Sequence, residues 1–210
     1  MISLLLADDH AVMREGLRLL LASQSDFKII SEAGTGTDAL NAIIAFKPDI
    51  ALLDVSMPGI SGMDVLRTLM EQKRTTKVVL LSMHDNPQLA AEAMALGASA
   101  YVLKGGSASD IVHAIRQAAR GQTFVSPSLA EAVQLQLERG IEQSPLALLS
   151  SRERQVLQLV VEGKSSSEIG TLLHLSPKTV DTYRSRLMQK LDVGDVPGLV
   201  RLAVRLGILS

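Results

Sequence analysis

Asp54 is a single acidic residue within an otherwise aliphatic run, residues 50–55 of the chain. Burying an unpaired carboxylate is costly, and the group otherwise becomes neutral. Such a residue therefore needs either a partner or a chemical task. Two interpretations follow: a structural acid satisfied at the end of a strand, or a carboxylate placed to react.

Four other polar residues also close short apolar runs: Asp8, Asp9, Ser82 and Lys104. If these runs are neighbouring parallel strands, their carboxyl ends meet at one edge of a sheet. Carboxylates brought together there repel each other unless a cation lies between them, and oxygen ligands with room for water suit Mg²⁺. A nucleophilic carboxylate, a hydroxyl, an ammonium group and a divalent cation together suit phosphoryl transfer to an aspartate.

Each of these residues also has an ordinary structural explanation. An acidic pair after a strand is often a helix N-cap, and a single terminal lysine is usually solvated. Taken singly, these explanations are favoured. Taken together, five polar groups at the ends of four runs favour a common site.

The elements that must position these groups follow from the hydrophobic pattern of residues 1–121. Five short apolar runs predict strands, at residues 2–7, 27–33, 49–55, 77–83 and 99–104. Five segments with a period near 3.6 alternate with them and predict helices, at residues 11–23, 36–46, 62–72, 87–97 and 107–121. The predicted buried face of the first helix consists of Val12, Leu17, Leu20 and Leu21. This alternation predicts an α/β domain with a five-stranded, doubly wound parallel sheet.

The pattern changes after Gly121. Residues 126–140 predict one more helix, with Ser126 as N-cap and Pro127 at its first position, and residues 141–147 are typical of a linker. From residue 149 onward only helical spacing remains. We therefore expect three parts: an α/β domain at 1–121, a connector with a helix at 122–148, and a smaller all-α domain at 149–210.

Charge and composition separate the two domains. The stretch from Ala147 to the end has nine basic and six acidic residues, a net charge of +3, whereas the remainder has twelve basic and sixteen acidic residues, or −4. A basic tail behind an acidic front favours a polyanionic partner for the second domain. No apolar stretch is long enough to span a membrane, and the absence of cysteine fits a reducing cytoplasm.

Residues 166–191 predict two helices joined by a tight turn at Leu175 and Ser176. The first helix has the apolar residues Ile169, Leu172 and Leu173, and the second has Val180, Tyr183, Leu187 and Leu191. Ser176 is a suitable N-cap and Pro177 a suitable first residue of the second helix. Once these apolar faces are buried, a polar ridge remains exposed on the second helix: Lys178, Asp181, Thr182, Ser185 and Gln189, flanked by Arg184, Arg186 and Lys190.

This ridge has the composition of a recognition helix in a DNA major groove. Four basic residues are suited to binding DNA phosphates: Lys178, Arg184, Arg186 and Lys190. Three polar residues can contact base edges, namely Asp181, Thr182 and Ser185, and Thr179 belongs to the same predicted interface. Asp181 would cost affinity unless it accepts a hydrogen bond from a cytosine amino group. With five aromatic residues in the chain and no tryptophan, duplex DNA is favoured over single strands. The alternative is a small helical bundle with a solvated face.

The stretches LLADDH, LLDVSMPGISG, LLSMHD and YVLKGG resemble the receiver domain of bacterial two-component response regulators. That resemblance implies a flavodoxin-like fold in which Asp54 is the phosphoacceptor. It implies that Asp9 binds Mg²⁺ directly, Asp8 holds its water shell and the Ser56 carbonyl is a third ligand. It also implies that Lys104 pairs with the phosphoryl group and Ser82 is the switch hydroxyl. Tyr101 matches the aromatic residue that turns inward during switching, or is a buried structural tyrosine.

Residues 149–210 resemble the LuxR-type helix-turn-helix domain, through LSSRERQVLQLVVEGKSSSEIGTLLHLSPKTVDTYRSRLMQKL and the closing helix. Gly170 stands where such domains usually have alanine, at a position that needs a small residue for close helix crossing. Together the two domains resemble NarL/FixJ-type response regulators.

The resemblance implies a cytoplasmic transcription regulator that a sensor histidine kinase phosphorylates, with Mg²⁺ as cofactor, and that binds promoter DNA as a homodimer. It implies that the protein is not an enzyme and catalyses at most its own dephosphorylation. Two alternatives remain: a Mg²⁺-dependent phosphatase that forms an aspartyl-phosphate, and a DNA-binding module whose acid cluster is inert. Phosphatases with such a site typically have a second acid two residues after the nucleophile, where this chain has Ser56.

Overall fold

The computed structural model describes residues 1–57, 60–83, 85–138, 145, 149, 151–173 and 175–205. The chain forms two compact units, Met1–Ile141 and Glu142–Ser210. Three parts of the sequence discussed above lie outside the described residues. They are most of the predicted linker, His84 of the LLSMHD stretch, and the end of the predicted closing helix beyond residue 205. None of the helices within the described ranges is long and apolar enough to cross a lipid bilayer.

The first unit contains a parallel sheet with the strand order β2-β1-β3-β4-β5-β6. Its strands are β1 (Ile2–Ala7), β2 (Phe27–Ala33), β3 (Ile50–Asp54), β4 (Lys77–Ser82), β5 (Ala100–Leu103) and β6 (Phe124–Val125). The five predicted strands are confirmed, and β6 adds a sixth at the edge. A two-residue strand is too short to show any hydrophobic period, so the sequence pattern could not predict it.

Helices cover both faces of this sheet. They are α1 (Ala11–Ala22), α2 (Gly36–Phe46), α3 (Gly62–Glu71), α4 (Pro87–Leu96) and α5 (Ala108–Ala119). Apolar residues of α1 and α5 form the core on one face, and those of α2, α3 and α4 form the core on the other. This arrangement confirms the doubly wound α/β fold.

The predicted apolar face of α1 is only partly correct. Leu17 and Leu21 are 4% and 0% exposed, whereas Val12 is 89% exposed. An α-helix turns by about 100° per residue, so Val12 lies about 180° around the helix from Leu21. Grouping Val12 with the leucines was therefore wrong.

A sixth helix, α6 (Pro127–Glu138), belongs to the same unit and packs against α4. Leu129 and Val133 of α6 are buried in the core on that side of the sheet. Ser126, directly before α6, is also buried: its hydroxyl accepts a hydrogen bond from the Leu103 amide at 2.9 Å. Its own amide donates to the Tyr101 carbonyl at 3.0 Å. The start of α6 is thus tied to β5.

Within its described residues, the second unit contains four helices: α7 (Ser151–Val161), α8 (Ser166–Leu173), α9 (Pro177–Lys190) and α10 (Val196–Arg205). Its core includes Ile169, Val180, Leu187 and Leu191, as predicted. The Ser176 hydroxyl accepts a hydrogen bond from the Thr179 amide at 3.1 Å, which confirms the predicted N-cap of α9.

One residue of the predicted α8 face is wrong, because Leu172 is 56% exposed. Ile169 and Gly170 are both buried, so the core direction lies between them on the helical wheel. Leu173 lies close to that direction, whereas Leu172 lies about 110° away from it. Gly170 is at the close crossing: a Cβ atom there would lie 2.7 Å from the Leu175 carbonyl oxygen.

Candidate functional site

The polar residues at the carboxyl edge of the sheet meet as predicted. Lys104 Nζ lies 2.7 Å from Asp8 Oδ2 and 2.8 Å from Asp54 Oδ2, and the three side chains are at most 4% exposed. Asp54 is therefore in a buried ion pair, as the structural interpretation required. It also lies beside the N-terminal acids, as the reactive interpretation required. The site combines an ammonium group with converging carboxylates.

The same edge offers a candidate metal site. Asp8, Asp9, His10 and Asp54 each contribute a potential ligand atom, and these atoms lie within 4.8 Å of one another. Carboxylate oxygens are hard ligands of the kind that Mg²⁺ prefers. The donor set thus fits a divalent cation.

Two residues near this edge were not singled out from the sequence. His10 Nδ1 lies 2.8 Å from Asp9 Oδ1, and the Arg14 guanidinium donates to the carbonyl oxygen of Asp8. His10 directly follows the acid pair, so its proximity was available as a signal. Arg14 lies on α1, and only the fold brings it to Asp8.

Backbone groups fix the two buried carboxylates. Asp8 Oδ1 accepts a hydrogen bond from the His10 amide at 2.9 Å, and Asp54 Oδ1 accepts one from the Ser56 amide at 3.2 Å. Gly62 packs against the backbone of Asp54: a Cβ atom on Gly62 would lie 2.3 Å from the Asp54 carbonyl oxygen. A larger residue at 62 would therefore displace Asp54 or α3.

Burial and the lysine act on Asp54 in opposite directions. Desolvation raises the pKa of the Asp54 carboxyl, and the hydrogen bond and charge of Lys104 oppose that rise. A partly desolvated carboxylate held by an ammonium group is poorly hydrated and well oriented, which are properties of a useful nucleophile.

The remaining sheet-edge residues are in place, although their roles stay predictions. Ser82 and Tyr101 are buried on adjacent strands β4 and β5. Burial raises the pKa of the Tyr101 phenol to about 12. Tyr101 points inward, which fits a switch residue and a structural one equally. Ser56 is exposed and lies two residues after Asp54 in the chain. The role of its carbonyl as a metal ligand stays a prediction.

In the second unit, α9 presents the predicted polar ridge. Seven of the predicted DNA-facing residues are exposed, namely Lys178, Asp181, Thr182, Ser185, Arg186, Gln189 and Lys190, while Thr179 and Arg184 are partly buried. Lys190 differs from the other cations, because its Nζ lies 2.7 Å from Oε2 of the buried Glu153 on α7. Its contact with DNA phosphate stays a prediction, and the structure gives it a second, internal role.

Comparisons with known proteins match both halves of the chain. Residues 4–116 match the family model "Response regulator receiver domain", and residues 147–203 match "Bacterial regulatory proteins, luxR family". Among curated relatives, the response regulator UvrY of Escherichia coli K12 is 38% identical over 212 residues. That similarity covers 100% of this chain and 97% of UvrY.

Two solved structures are similar in fold. The receiver domain of the putative response regulator NarL from Mycobacterium tuberculosis is 35% identical with a TM-score of 0.56; it covers 58% of this chain and 98% of its own. RcsB from Salmonella enterica, solved bound to the promoter rprA with a phosphomimetic, is 24% identical with a TM-score of 0.64. It covers 96% of this chain and 97% of its own, and at this identity it supports the fold alone.

Proposed function

Because the chain belongs to the response regulators in which a receiver domain is joined to a LuxR-type DNA-binding domain, we propose that phosphorylation of Asp54 controls its binding to promoter DNA. The observation that carries this proposal is the contact of Lys104 Nζ with both Asp54 and Asp8 inside a cluster of potential metal ligands.

The proposed reaction is transfer of a phosphoryl group from a phosphohistidine of a sensor kinase. An oxygen of Asp54 attacks phosphorus, the new O–P bond forms, and the N–P bond breaks with its electron pair returning to the imidazole. The ammonium group of Lys104 pairs with the transferred phosphoryl group and offsets the negative charge of its oxygens. Bound Mg²⁺ would supply further positive charge at these oxygens, held by Asp9, Asp54 and the Ser56 carbonyl, with Asp8 on its water shell.

The switch begins in residues next to Asp54. The Ser82 hydroxyl donates to a phosphoryl oxygen, and Tyr101, which is buried on the neighbouring strand β5, responds to this movement. The start of α6 is hydrogen-bonded to the same strand as Tyr101, through Ser126. Phosphorylation shifts a pre-existing equilibrium between conformations rather than creating a new one.

The output is binding of duplex DNA by α9. The exposed ridge meets the major groove, with Lys178 and Arg186 on phosphates and Thr182 and Ser185 at base edges. A homodimer would place two copies of α9 on half-sites about one helical turn apart, so a partly palindromic operator is expected.

Intact-mass measurement tests the phosphorylation. The chain is incubated with acetyl phosphate and Mg²⁺, and one phosphoryl adduct is expected on the wild type and none on Asp54→Asn. Asp192→Asn is the matched control, since Asp192 is an exposed aspartate of the other unit. Rapid turnover of phosphate esters would instead support the phosphatase, and absence of an adduct would support an inert acid cluster.

Footprinting of genomic DNA tests the output. Protected sites should appear or strengthen with acetyl phosphate and Mg²⁺, and should weaken as salt rises because phosphate contacts release counterions. Protection that is identical for the wild type and Asp54→Asn under all conditions would show that DNA binding does not depend on phosphorylation.

A further inference from the structure

Three residues connect the start of α8 to the middle of α9. The Ser166 hydroxyl donates to Asp181 Oδ1 at 2.6 Å, and Arg184 Nη1 donates to the same hydroxyl at 3.0 Å. Arg184 Nη1 also lies 3.9 Å from Asp181 Oδ1. We call these residues the Ser166–Asp181–Arg184 cluster.

The donor and acceptor roles in this cluster are consistent. A serine hydroxyl has one hydrogen to donate and can accept as well, so Ser166 can serve Asp181 and Arg184 at once. Arg184 uses one of its five N–H groups on Ser166, and the others remain for a ligand. The Arg184 side chain is 28% exposed, and its hydrogen bond to Ser166 restrains the guanidinium near the surface.

This arrangement explains an acid on a surface that should attract DNA. A lone carboxylate there would repel phosphates, and a base-reading role would require it to accept from a cytosine amino group. In the structure Asp181 already accepts from Ser166 and lies close to the charge of Arg184. Its carboxylate, 62% exposed, is thus engaged by one hydrogen bond from Ser166 and by the nearby guanidinium of Arg184.

We propose that Asp181 is a positioning residue, which orients Arg184 through Ser166 so that the guanidinium is preset for a DNA phosphate. The inference rests on the proposed DNA binding and changes the role of Asp181 from reading a base to orienting a cation. A preset arginine loses less side-chain freedom on binding, which favours the complex.

A double-mutant cycle tests the inference in the full-length chain treated with acetyl phosphate and Mg²⁺. The probe is a duplex that the wild type selects from a random-sequence library. Ser166→Ala preserves net charge and should weaken binding about threefold to tenfold, as expected for one hydrogen bond. In the Asp181→Ala background the same change should have almost no effect.

Ser167→Ala is the matched control, because Ser167 is an exposed serine one position along α8 and outside the cluster. Its effect on binding should be equal in the wild-type and Asp181→Ala backgrounds. Ser166→Ala should also make the dependence of affinity on salt shallower by about one phosphate contact. A merely structural role would lower thermal stability without changing that slope.

The outcomes separate the inference from the function on which it rests. If the wild type selects no duplex, the proposed DNA binding fails and the inference fails with it. If it selects one, but Ser166→Ala and Asp181→Ala act additively, the inference alone is overturned. A change of preference at one base pair in Asp181→Ala, with Ser166→Ala neutral, would restore the base-reading role.

Discussion

Lys104 Nζ lies 2.8 Å from Asp54 Oδ2, and both side chains are almost fully buried. The same ammonium group contacts Asp8, so one cation reduces the repulsion between two carboxylates. We therefore expect the lysine to contribute to the stability of the unmodified protein as well as to the proposed chemistry.

Lys104→Met should therefore destabilise the first unit. Removing one partner of a buried ion pair leaves an uncompensated charge and costs about 3 kcal/mol. Denaturant unfolding followed by circular dichroism measures the loss, and added Mg²⁺ should restore part of it by taking over the neutralisation. Lys28→Met, at an exposed lysine of β2, should change little. Equal effects in the two variants would argue against the ion pair.

Ser126→Ala tests the attachment of α6 to β5. The substitution removes the acceptor of the Leu103 amide in a buried place, and an unsatisfied buried donor costs about 2 kcal/mol. Hydrogen exchange should show faster exchange of the Leu103 amide. Ser128→Ala is the control, since Ser128 is exposed on the first turn of α6. Unchanged protection of Leu103 would show that the bond contributes nothing.

Lys190 and Lys178 should separate stability from DNA binding. Lys190→Ala removes the 2.7 Å contact between Lys190 Nζ and Glu153 Oε2 and should lower the free energy of unfolding of the second unit. The loss should be only about 1 kcal/mol, because the Lys190 side chain is 42% exposed and solvent screens the pair. Lys178→Ala, at an exposed lysine, should leave stability unchanged and weaken DNA binding. The reverse pattern would mean that Lys190 acts mainly on DNA.

Two glycines in helices should respond oppositely to alanine. At Gly16 of α1 a Cβ atom would meet nothing within 4 Å, so Gly16→Ala should stabilise the protein by about 1 kcal/mol through helix propensity. At Gly170 the Cβ atom would lie 2.7 Å from the Leu175 carbonyl oxygen, and the shift that this forces should cost about 2 kcal/mol, more than the gain of about 1 kcal/mol from helix propensity. Thermal unfolding of both variants measures the signs. Stabilisation by Gly170→Ala would show that the turn after α8 relaxes easily.

Much of the fold could be predicted from the sequence because the determining signals are local. Buried parallel strands are continuous apolar runs, and the helices between them repeat near 3.6 residues. The polar residues at the strand ends then had to meet, since the carboxyl ends of parallel strands share one edge. The meeting of Asp8, Asp54 and Lys104 was predictable for that reason.

Other features depended on the direction and packing of individual side chains. Val12 and Leu172 are apolar and correctly assigned to helices, but the neighbouring elements do not cover their faces. The two residues of β6 pair with β5 only because the chain returns to that edge.

The sequence by itself determined the two-domain architecture, the acid-rich sheet edge and the exposed ridge of α9. The hydrophobic period predicts each strand and helix, and the carboxyl ends of parallel strands lie at one edge of the sheet. Only the tertiary structure decided which partner each charged side chain takes. Lys190 binds Glu153, and Asp181 accepts from Ser166. Such side chains have several rotatable bonds, and their partners come from elements that are distant in sequence, so no local pattern specifies them.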